Sequence, residues 1–384
     1  MRGYKRGLSG STFVSSASSP PPIDAHRLAQ HVGSWLSQPG PESDVVLSCR
    51  VRLARNLVDS PFVPRLDAAG AEEAAARLRV HLVEAAIDGE TLWVPMSQAT
   101  PVLRLMLRER HLISRDLAPS EEGRSAPPGR AVAFGASETV SVMVNEEDHL
   151  RLQALASGFQ LDLAWERAQA IDRHLETRLP LAFSTEIGYL TACPTNVGTG
   201  LRASVMMHLP ALGLVRTELE KVFTAAQRTG LAVRGMYGEG SRAAGDYYQI
   251  SNQITLGRSE GQLVDDLRAL VPRIIDFERR LRGALLKEQK AALKDRVSRS
   301  IGLLRTARAM PTEGALAHLS NLRLGFHLGI ASEATVDVLN ELGVQVQKGH
   351  VQALAQQGSE SELIDASERD RLRASLLRKR LAAG

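Results

Sequence analysis

The sequence predicts an α+β fold for roughly the first two thirds of the chain and helices alone after it. Residues 45–53 (VVLSCRVRL) alternate between apolar and polar side chains, which is typical of a half-buried strand. Residues 68–86 have the alanine- and leucine-rich composition of a helix. From Ser259 onward the chain is mostly helical in character, and Pro272 and Pro311 are expected to kink or end helices. Together these three observations predict strands and helices followed by a helical domain.

The first predicted strand separates apolar from basic side chains. Because successive side chains of a strand point to opposite faces, Arg50 and Arg52 share a face with Ser48 and lie about 7 Å apart. The other face carries the apolar residues Val45, Leu47, Cys49, Val51 and Leu53. We therefore expect one face to join a core and the other to meet a polar ligand.

Three further elements complete the α+β region. Residues 139–155 begin as a strand and then turn through an acidic centre, and residues 218–230 form a helix that ends at a glycine. Between them, CPTNVGTGLRAS (193–204) predicts a loop followed by a strand that has Arg202 and Ser204 on one face. The other face of that strand carries Ala203, Val205 and Met207.

The predicted organisation has three segments. Residues 1–40 form a flexible, Ser/Pro-rich tail, within which residues 28–36 could dock on the body as a short amphipathic patch. Residues 41–279 form the α+β domain, and residues 280–384 form a separate helical domain.

Composition excludes several classes of protein. Two cysteines in 384 residues cannot form a disulfide framework, which suits a reducing cytoplasm. No apolar run approaches the length of a membrane span, and the basic N-terminus lacks the apolar stretch of a signal peptide. With 47 basic and 43 acidic residues the formal net charge is only +4, too small for the usual footprint of a nucleic-acid-binding protein. We therefore expect a cytoplasmic protein without a direct nucleic-acid or membrane partner.

Five arginines in polar or glycine-rich contexts are candidates for an anion site. They are Arg50, Arg52, Arg151, Arg202 and Arg234. If these side chains converge they repel one another unless a polyanion lies between them, and the guanidinium group binds phosphate oxygens in pairs. Because the sequence contains no GxxxxGK[ST] motif, a nucleotide would have to be held by arginine rather than by a P-loop lysine. The alternative is that each arginine is a separate, solvated residue.

Carboxylates are the second set of candidates. Glu146, Glu147 and Asp148 lie together in VNEEDHLR, and Glu239 lies in RGMYGEGS. A guanidinium with a pKa above about 12 can accept a phosphoryl group only once a proton is drawn away. Two carboxylates can orient such a group, and one of them can act as base. A metal site made from Asp148 and His149, and a simple solvated acidic turn, remain open alternatives.

Cys193 allows two interpretations, and His111 has one default interpretation. Most free cysteines are small buried apolar side chains, but a cysteine beside a guanidinium can become a reactive thiolate. A histidine in a segment such as RERHLISRD is by default a surface residue.

Several motifs of this chain resemble the ATP:guanidino phosphotransferases (phosphagen kinases), most closely their bacterial branch, the McsB-type protein arginine kinases. The motifs occur in the family's order between about Trp35 and Arg280: SCRVRLARN, VNEEDHLR, CPTNVGTGLRAS, RGMYGE and ISNQITLGRSE. Near the C-terminus, RDRLRA (369–374) resembles the RDxxRA motif with which that branch binds phosphoarginine. The resemblance implies an antiparallel sheet flanked by helices, followed by an all-α domain.

The resemblance also assigns roles to residues. Glu147 and Glu239 would orient and deprotonate the substrate guanidinium, with Cys193 assisting, and His111 would lie near the nucleotide base. The implied ATP-binding set is Ser48, Cys49, Arg50, Val51, Arg52, His111, Arg151, Arg202, Ala203, Ser204, Val205, Met206, Arg234, Gly235, Met236, Tyr237, Gly238 and Glu239. The implied phosphoarginine-binding set is Arg369, Asp370, Arg371, Leu372, Arg373 and Ala374. No residue is predicted to bind metal directly, because Mg²⁺ would be held mainly by the ATP phosphates.

The implied reaction moves the γ-phosphoryl of ATP to arginine side chains of proteins. The implied substrates are a CtsR-type repressor, whose repression would be relieved, and misfolded proteins marked for a Clp ATPase and protease. An McsA-type activator and a homodimer are also implied. Ordinary phosphagen kinases carry a helical domain where this chain has only the residues before Asp44, so we expect a site open to polypeptides.

Alternatives and departures accompany this expectation. A kinase for free arginine, and a non-catalytic phosphoarginine-binding protein built around RDRLRA, are the two rival functions. Cys49 stands where the bacterial branch usually has serine, and Arg242 stands where an acidic or neutral residue is common.

Overall fold

The computed structural model describes residues 23–118, 125–236, 243–355, 360 and 362–382. Its strands are β1 (Val46–Arg55), β2 (Thr91–Pro95), β3 (Ala131–Gly135), β4 (Val140–Val144), β5 (Leu150–Ser157), β6 (Phe183–Ser184), β7 (Gly188–Tyr189), β8 (Leu201–His208), β9 (Leu231–Gly235) and β10 (Tyr247–Asn252). Its α-helices are α1 (Ala25–Ala29), α2 (Ser34–Ser37), α3 (Ala68–Glu84), α4 (Pro101–Glu109), α5 (Leu161–Glu176), α6 (Pro210–Leu214), α7 (Arg216–Arg228), α8 (Glu260–Glu288), α9 (Lys290–Thr306), α10 (Thr312–His327), α11 (Val336–Gln345), α12 (Lys348–Ala355) and α13 (Ala366–Ala382).

One large antiparallel sheet organises the first part of the chain. Its strands follow the order β2-β3-β4-β5-β1-β8-β10-β9, and every neighbouring pair runs antiparallel. Strands β6 and β7 form a separate small hairpin. Helices pack against this sheet, and helices alone follow it, which confirms the predicted fold class.

The central strands of the sheet have one apolar and one polar face. On the apolar face, Val51 of β1 and Val205 of β8 are fully buried in a core that also contains Val264 and Leu267 of α8. The polar face carries Ser48, Arg50 and Arg52 of β1 and their neighbours on the adjoining strands, because side chains alternate along each strand. We call this surface the polar face.

The C-terminal helices form a second core and also contact the sheet domain. Leu316, Leu342 and Leu377 are buried together in that second core. Helix α12 packs on α4, and α11 packs on α2. Helix α8 continues through the predicted domain boundary at residue 280 and contains Pro272. No helix in the described parts of the chain has the length and apolar character needed to cross a membrane.

The predicted tail differs from the structure in its second half. Residues 1–22 lie outside the described residues, but residues 25–29 and 34–37 form α1 and α2. The prediction of flexibility therefore has to be corrected for residues 23–40. Apolar side chains cause this packing, since Ala25, Ala29, Trp35 and Leu36 are all buried.

Candidate active site

Strand register brings the predicted phosphate arginines together on the polar face. In the pairing of β1 with β8, Arg52 lies directly opposite Arg202, and Arg50 lies opposite Ser204. Opposed residues in such a pair are only about 5 Å apart. On the other side of β1, Arg151 of β5 is paired with Ala54. The sheet therefore collects charges from three strands that are distant in sequence.

Gln249 connects this cluster to the outer strands and was missed by the sequence analysis. Strand β10 places Gln249 between Met206 of β8 and Arg234 of β9. Its side-chain oxygen accepts a hydrogen bond of 2.7 Å from Arg50. The alternation within YYQIS, which sets Gln249 on the same face as Ser251, was the signal that could have identified it.

The arginine cluster has too few acceptors for its donors. Burial, followed by the charges of Arg151 and Arg202, lowers the pKa of Arg50 to about 10. Burial and the neighbouring arginines also lower the pKa of Arg52 and of Arg202. The Nε atoms of Arg52 and Arg202 are buried without a hydrogen-bond partner among the described residues. A bound polyanion would supply the missing acceptors and relieve the repulsion.

Arg151 differs from the other arginines because it has a carboxylate partner. Its Nη1 atom donates to both carboxylate oxygens of Glu146, at 2.7 and 2.5 Å. The Glu146 side chain is 1% exposed and also accepts a hydrogen bond from the Ser114 hydroxyl. Glu146 is therefore not part of a solvated acidic turn, and it holds Arg151 at the edge of the cluster.

Glu147 and Cys193 lie in the same cavity as the arginines. This cavity has a volume of about 260 Å³, and its lining includes Glu147, Cys193, Arg52, Arg151 and Arg202. The Cys193 thiol and the Thr195 hydroxyl, which also lines this cavity, share a hydrogen bond of 3.0 Å. Partial burial, followed by the negative charge of Asp148, raises the pKa of Glu147. A carboxylate with a raised pKa thus lines the same cavity as three of the clustered arginines.

Asp148 and His149 have structural roles that differ from the metal site considered above. Asp148 is buried, and its Oδ1 accepts hydrogen bonds from Asn56 Nδ2 (2.6 Å) and from the Ala192 backbone (2.7 Å). Asn56 Oδ1 in turn accepts from the His149 backbone N–H at 2.9 Å. Burial lowers the pKa of His149 to about 4, so the ring is neutral at pH 7. No metal-binding group of three or more His, Cys, Asp or Glu residues occurs in the described portion of the chain.

The hydrogen bonds that Asp148 accepts from Asn56 and Ala192 fix the distance between the segment that carries Glu147 and the segment that carries Cys193. Asn56 directly follows β1, Asp148 directly follows Glu147, and Ala192 directly precedes Cys193. The amide of Asn56 also donates to the Leu190 carbonyl at 3.1 Å. The sequence analysis did not identify Asn56, because its partners lie about 90 and 130 residues further along the chain.

The side chains of the implied ATP-binding set divide between the two faces of the sheet. The side chains of Cys49, Val51, Ala203 and Val205 belong to the core on the opposite side of the sheet. Burial raises the pKa of the Cys49 thiol to about 12, so the departure from serine at this position concerns the core rather than the site. Strand alternation directs these four side chains away from the polar face, and the prediction that these residues contact ATP stays a prediction.

Members of the set near the β9–β10 connection are only partly described. Gly235 and Met236 are half-buried at the end of β9, where the Met236 backbone donates to the Tyr247 carbonyl at 2.8 Å. The predicted ATP contacts Tyr237 and Gly238, the second substrate carboxylate Glu239 and the unusual Arg242 lie outside the described residues.

His111 lies beside the polar face, and its predicted place near the nucleotide base stays a prediction. It shares a small cavity with Ser48, Arg50, Ser204 and Met206. The Trp35 ring meets the His111 ring edge to face at 5.8 Å. Burial and the charge of Arg50 lower the pKa of His111 to about 3, so the imidazole is neutral.

The RDRLRA motif forms part of α13, and its last arginine is buried. Arg373 is 1% exposed and donates to the carbonyls of Val346 (2.5 Å) and Met310 (2.7 Å) and to Asp370. Arg371 is exposed and forms an ion pair with Glu368 one turn earlier. Through these contacts Arg373 links α13 to the end of α11 and to the segment just before α10.

Comparisons with known proteins agree over more than nine tenths of the chain. Residues 76–281 match the model of the ATP:guanido phosphotransferase C-terminal catalytic domain, and residues 290–384 match that of the protein-arginine kinase McsB C-terminal domain. A protein-arginine kinase of Halothermothrix orenii is 44% identical over 92% of this chain and 97% of its own length. That of Bacillus subtilis is 42% identical over 93% of this chain and 95% of its own length.

Solved structures agree with these matches. A crystal structure of lombricine kinase is 28% identical, with a TM-score of 0.55 over 67% of this chain and 71% of that chain. A duplicated taurocyamine kinase from Schistosoma mansoni, at 24% identity, has the same fold, with a TM-score of 0.56 over 68% of this chain and 39% of its own. The chain therefore belongs to the ATP:guanidino phosphotransferase family and, within it, to the protein-arginine kinases.

Proposed function

We propose that this protein transfers the γ-phosphoryl group of ATP to the guanidinium group of arginine residues in proteins. The observation that carries the proposal is the single cavity in which Arg52, Arg151 and Arg202 face Glu147 and Cys193. The positive charges of the arginines are complementary to a triphosphate. The carboxylate, with the thiol beside it, is complementary to a cationic acceptor. The protein-arginine kinases among its relatives support a protein as the source of that acceptor.

The arginine cluster would bind the phosphates and stabilise charge on the transferring group. Phosphoryl transfer requires mainly positioning and charge stabilisation, which fixed guanidinium groups supply without rearrangement. Arg52 and Arg202 lie opposite each other on neighbouring strands, so the sheet fixes their separation before the nucleotide binds. Gln249 would keep Arg50 in the orientation required, through the hydrogen bond described above.

Glu147 would act on the acceptor. An arginine guanidinium entering the cavity would form paired hydrogen bonds with this carboxylate, and the carboxylate would take a proton from the attacking nitrogen. Its raised pKa makes it a stronger base than an ordinary glutamate. Cys193, held beside it through the Asn56–Asp148 contact, would orient the other side of the guanidinium, and Glu239 would supply the second carboxylate.

Mg²⁺ would be held mainly by the nucleotide phosphates and water, as is usual for this ion. Of the carboxylates near the arginine cluster, Glu146 is occupied by Arg151 and Ser114, whereas Asp116 lines the cavity. Asp116 is therefore the described carboxylate best placed to reach a water of the hydrated ion. When bound, the ion neutralises part of the phosphate charge.

The wider role proposed for the protein follows from its family branch. Its substrates would be a CtsR-type repressor and misfolded proteins destined for a Clp protease, with an McsA-type activator and a homodimeric state. The six residues of RDRLRA would bind phosphoarginine through whichever groups the buried Arg373 leaves accessible. Two free cysteines suit action in a reducing cytoplasm.

Mass spectrometry under conditions that preserve acid-labile phosphoarginine tests the proposal. A protein substrate incubated with ATP and the enzyme should gain phosphate on arginine, and Glu147→Ala should abolish the gain. Rapid turnover of free arginine without any protein phosphorylation would identify a metabolite kinase instead. Unchanged function of Glu147→Ala would support a non-catalytic phosphoarginine-binding protein.

A further inference from the structure

Large apolar side chains are exposed around the cavity that holds Cys193. Among the described residues, nine large apolar side chains are exposed. Five of these lie on segments that border the loop from Cys193 to Gly200 or on a segment that contacts those neighbours. We call these five residues the apolar rim: Val58, Phe183, Ile187, Ile254 and Leu256. Large apolar side chains exposed on neighbouring segments beside a cavity indicate an interaction site.

The segments that carry the rim are in direct backbone contact. A Cβ atom on Gly188 would come within 2.5 Å of the Gly198 carbonyl oxygen. A Cβ atom on Gly198 would come within 2.5 Å of the Thr255 carbonyl oxygen and 2.8 Å of Leu256 Cα. The three backbones therefore lie side by side with no side chain between them. Ile187 and Leu256 consequently flank the cysteine loop on its two sides.

The rim is also fastened to the wall of the cavity. Thr195 and Asn196 line the cavity together with Glu147 and Cys193. The Thr255 hydroxyl donates to the Thr195 carbonyl at 3.0 Å. The two neighbours of Thr255 in the chain are rim residues, so this part of the rim is one hydrogen bond away from the cavity lining.

The aromatic member of the rim has a fixed base. The Phe183 ring packs edge to face on the Tyr189 ring, with centroids 5.2 Å apart. The Tyr189 ring is itself covered by the Arg55 guanidinium at 3.5 Å. Nearby, the Val58 backbone donates to the Pro180 carbonyl at 3.0 Å, which ties the end of β1 to the segment preceding Phe183. An exposed ring on a rigid support offers contact area at low entropic cost.

The position of the rim determines what can cover it during the reaction. A polypeptide whose arginine enters the cavity must cross the mouth of that cavity, and an extended chain advances about 3.4 Å per residue. Residues one to three positions from the arginine therefore lie within about 10 Å of it, over the segments that carry the rim. The substrate polypeptide itself is thus the occupant that the geometry favours.

We propose that the apolar rim binds apolar side chains next to the target arginine, so that the enzyme selects arginines in extended, apolar segments. Folded proteins bury such segments, and unfolded chains expose them. This inference rests on the proposed protein-arginine kinase activity and adds a substrate preference to it.

A matched pair of peptides tests the rim. Both peptides carry one arginine; leucine occupies the flanking positions in one and serine in the other. With ATP and Mg²⁺, we expect the wild-type enzyme to show about tenfold higher kcat/KM for the leucine-flanked peptide. Phe183→Ser and Leu256→Ser should each reduce this ratio towards one. Val80→Ser and Val83→Ser, which change apolar residues of similar exposure on α3, should leave the ratio unchanged.

Each result decides the proposal. Equal wild-type kcat/KM for the two peptides would overturn it, as would rim variants that lose activity on both peptides in proportion. A rim variant that changes the sedimentation of the enzyme but keeps the wild-type ratio would identify the rim as a subunit or activator interface instead. If the wild-type enzyme phosphorylates neither peptide nor a denatured protein, the proposed function itself fails, and the rim proposal fails with it. Thermal unfolding of each variant checks that it is folded.

Discussion

The arginines on the polar face of the sheet and the arginines of α13 differ in what their guanidinium groups contact. Arg52 and Arg202 face each other across two strands, and each has a buried Nε without an acceptor among the described residues. Arg373 is also buried, but it donates to two carbonyls and to Asp370. The first pair belongs to the proposed phosphate site, whereas Arg373 helps to hold three helices together.

This difference shows that burial alone does not identify a functional arginine. Like charges repel in both regions, yet only on the sheet does the repulsion remain uncompensated by hydrogen bonds. A buried group that keeps unsatisfied donors costs stability, and the protein retains it where a ligand completes the hydrogen bonds. Whether the guanidinium donors have hydrogen-bond acceptors therefore distinguishes a ligand-binding arginine from a structural one. The local sequence motif, RDxxRA or RVR, does not.

The largest expected effect is on the sheet. Arg202→Ala should lower kcat/KM by about 10²–10³-fold, because it removes a donor to the transferring phosphates. The same change should not lower the free energy of unfolding, since it also removes repulsion from Arg151 and Arg234. Steady-state kinetics and thermal denaturation measure the two effects. Arg299→Ala, which removes an exposed i,i+4 pair with Asp295, is the control that should change neither.

The second prediction concerns α13, where we expect a substitution of arginine to lower stability. Arg373→Leu should lower the free energy of unfolding by about 2–4 kcal/mol, because it leaves the carbonyls of Val346 and Met310 without their donor. Arg371→Ala, in the same motif, should change stability by less than about 0.5 kcal/mol. Urea titration compares the two variants. If Arg373→Leu kept full stability but lost phosphoarginine binding, Arg373 would belong with the ligand-binding arginines and the comparison would fail.

The third prediction concerns the acid side of the pH profile. Because burial and Asp148 raise the pKa of Glu147, the fraction of ionised base falls from a higher pH than it would for an ordinary glutamate. Below that pKa, kcat/KM should fall by about tenfold per pH unit. The profile of Glu147→Gln should be low and lack this acidic limb. A limb that persists in that variant would assign the base to another residue.

The smallest expected effect is a shift of the same acidic limb of the pH profile when the charge of Asp148 is removed. Asp148→Asn keeps an oxygen for the hydrogen bonds from Asn56 and Ala192 but removes a negative charge beside Glu147. The acidic limb should therefore shift to lower pH with little loss of kcat at its plateau. A large loss of kcat without a shift would mean that the charge of Asp148, and not its hydrogen bonds, positions the loop.

The alternation of apolar and polar residues within single segments was sufficient to predict much of the fold and the shared face of the first-strand arginines. Alternation in VVLSCRVRL placed Arg50 and Arg52 on one face, and the structure agrees. The same alternation directs the side chains of Cys49 and Val51 into the core, although the family motif places both residues in the ATP-binding set. Composition misjudged residues 23–40, because a few apolar side chains suffice to pack short helices onto an existing surface.

The sequence by itself determined which side chains share a face, where helices follow strands, and which family motifs are present. Only the tertiary structure decided that Arg52 meets Arg202, because register between distant strands depends on the whole sheet. It also decided that Asn56 and Asp148 fix the cysteine loop, and that Arg373 is satisfied where Arg202 is not. The physical reason is that hydrogen-bond satisfaction and burial depend on partners far apart in sequence, which periodicity within one segment does not specify.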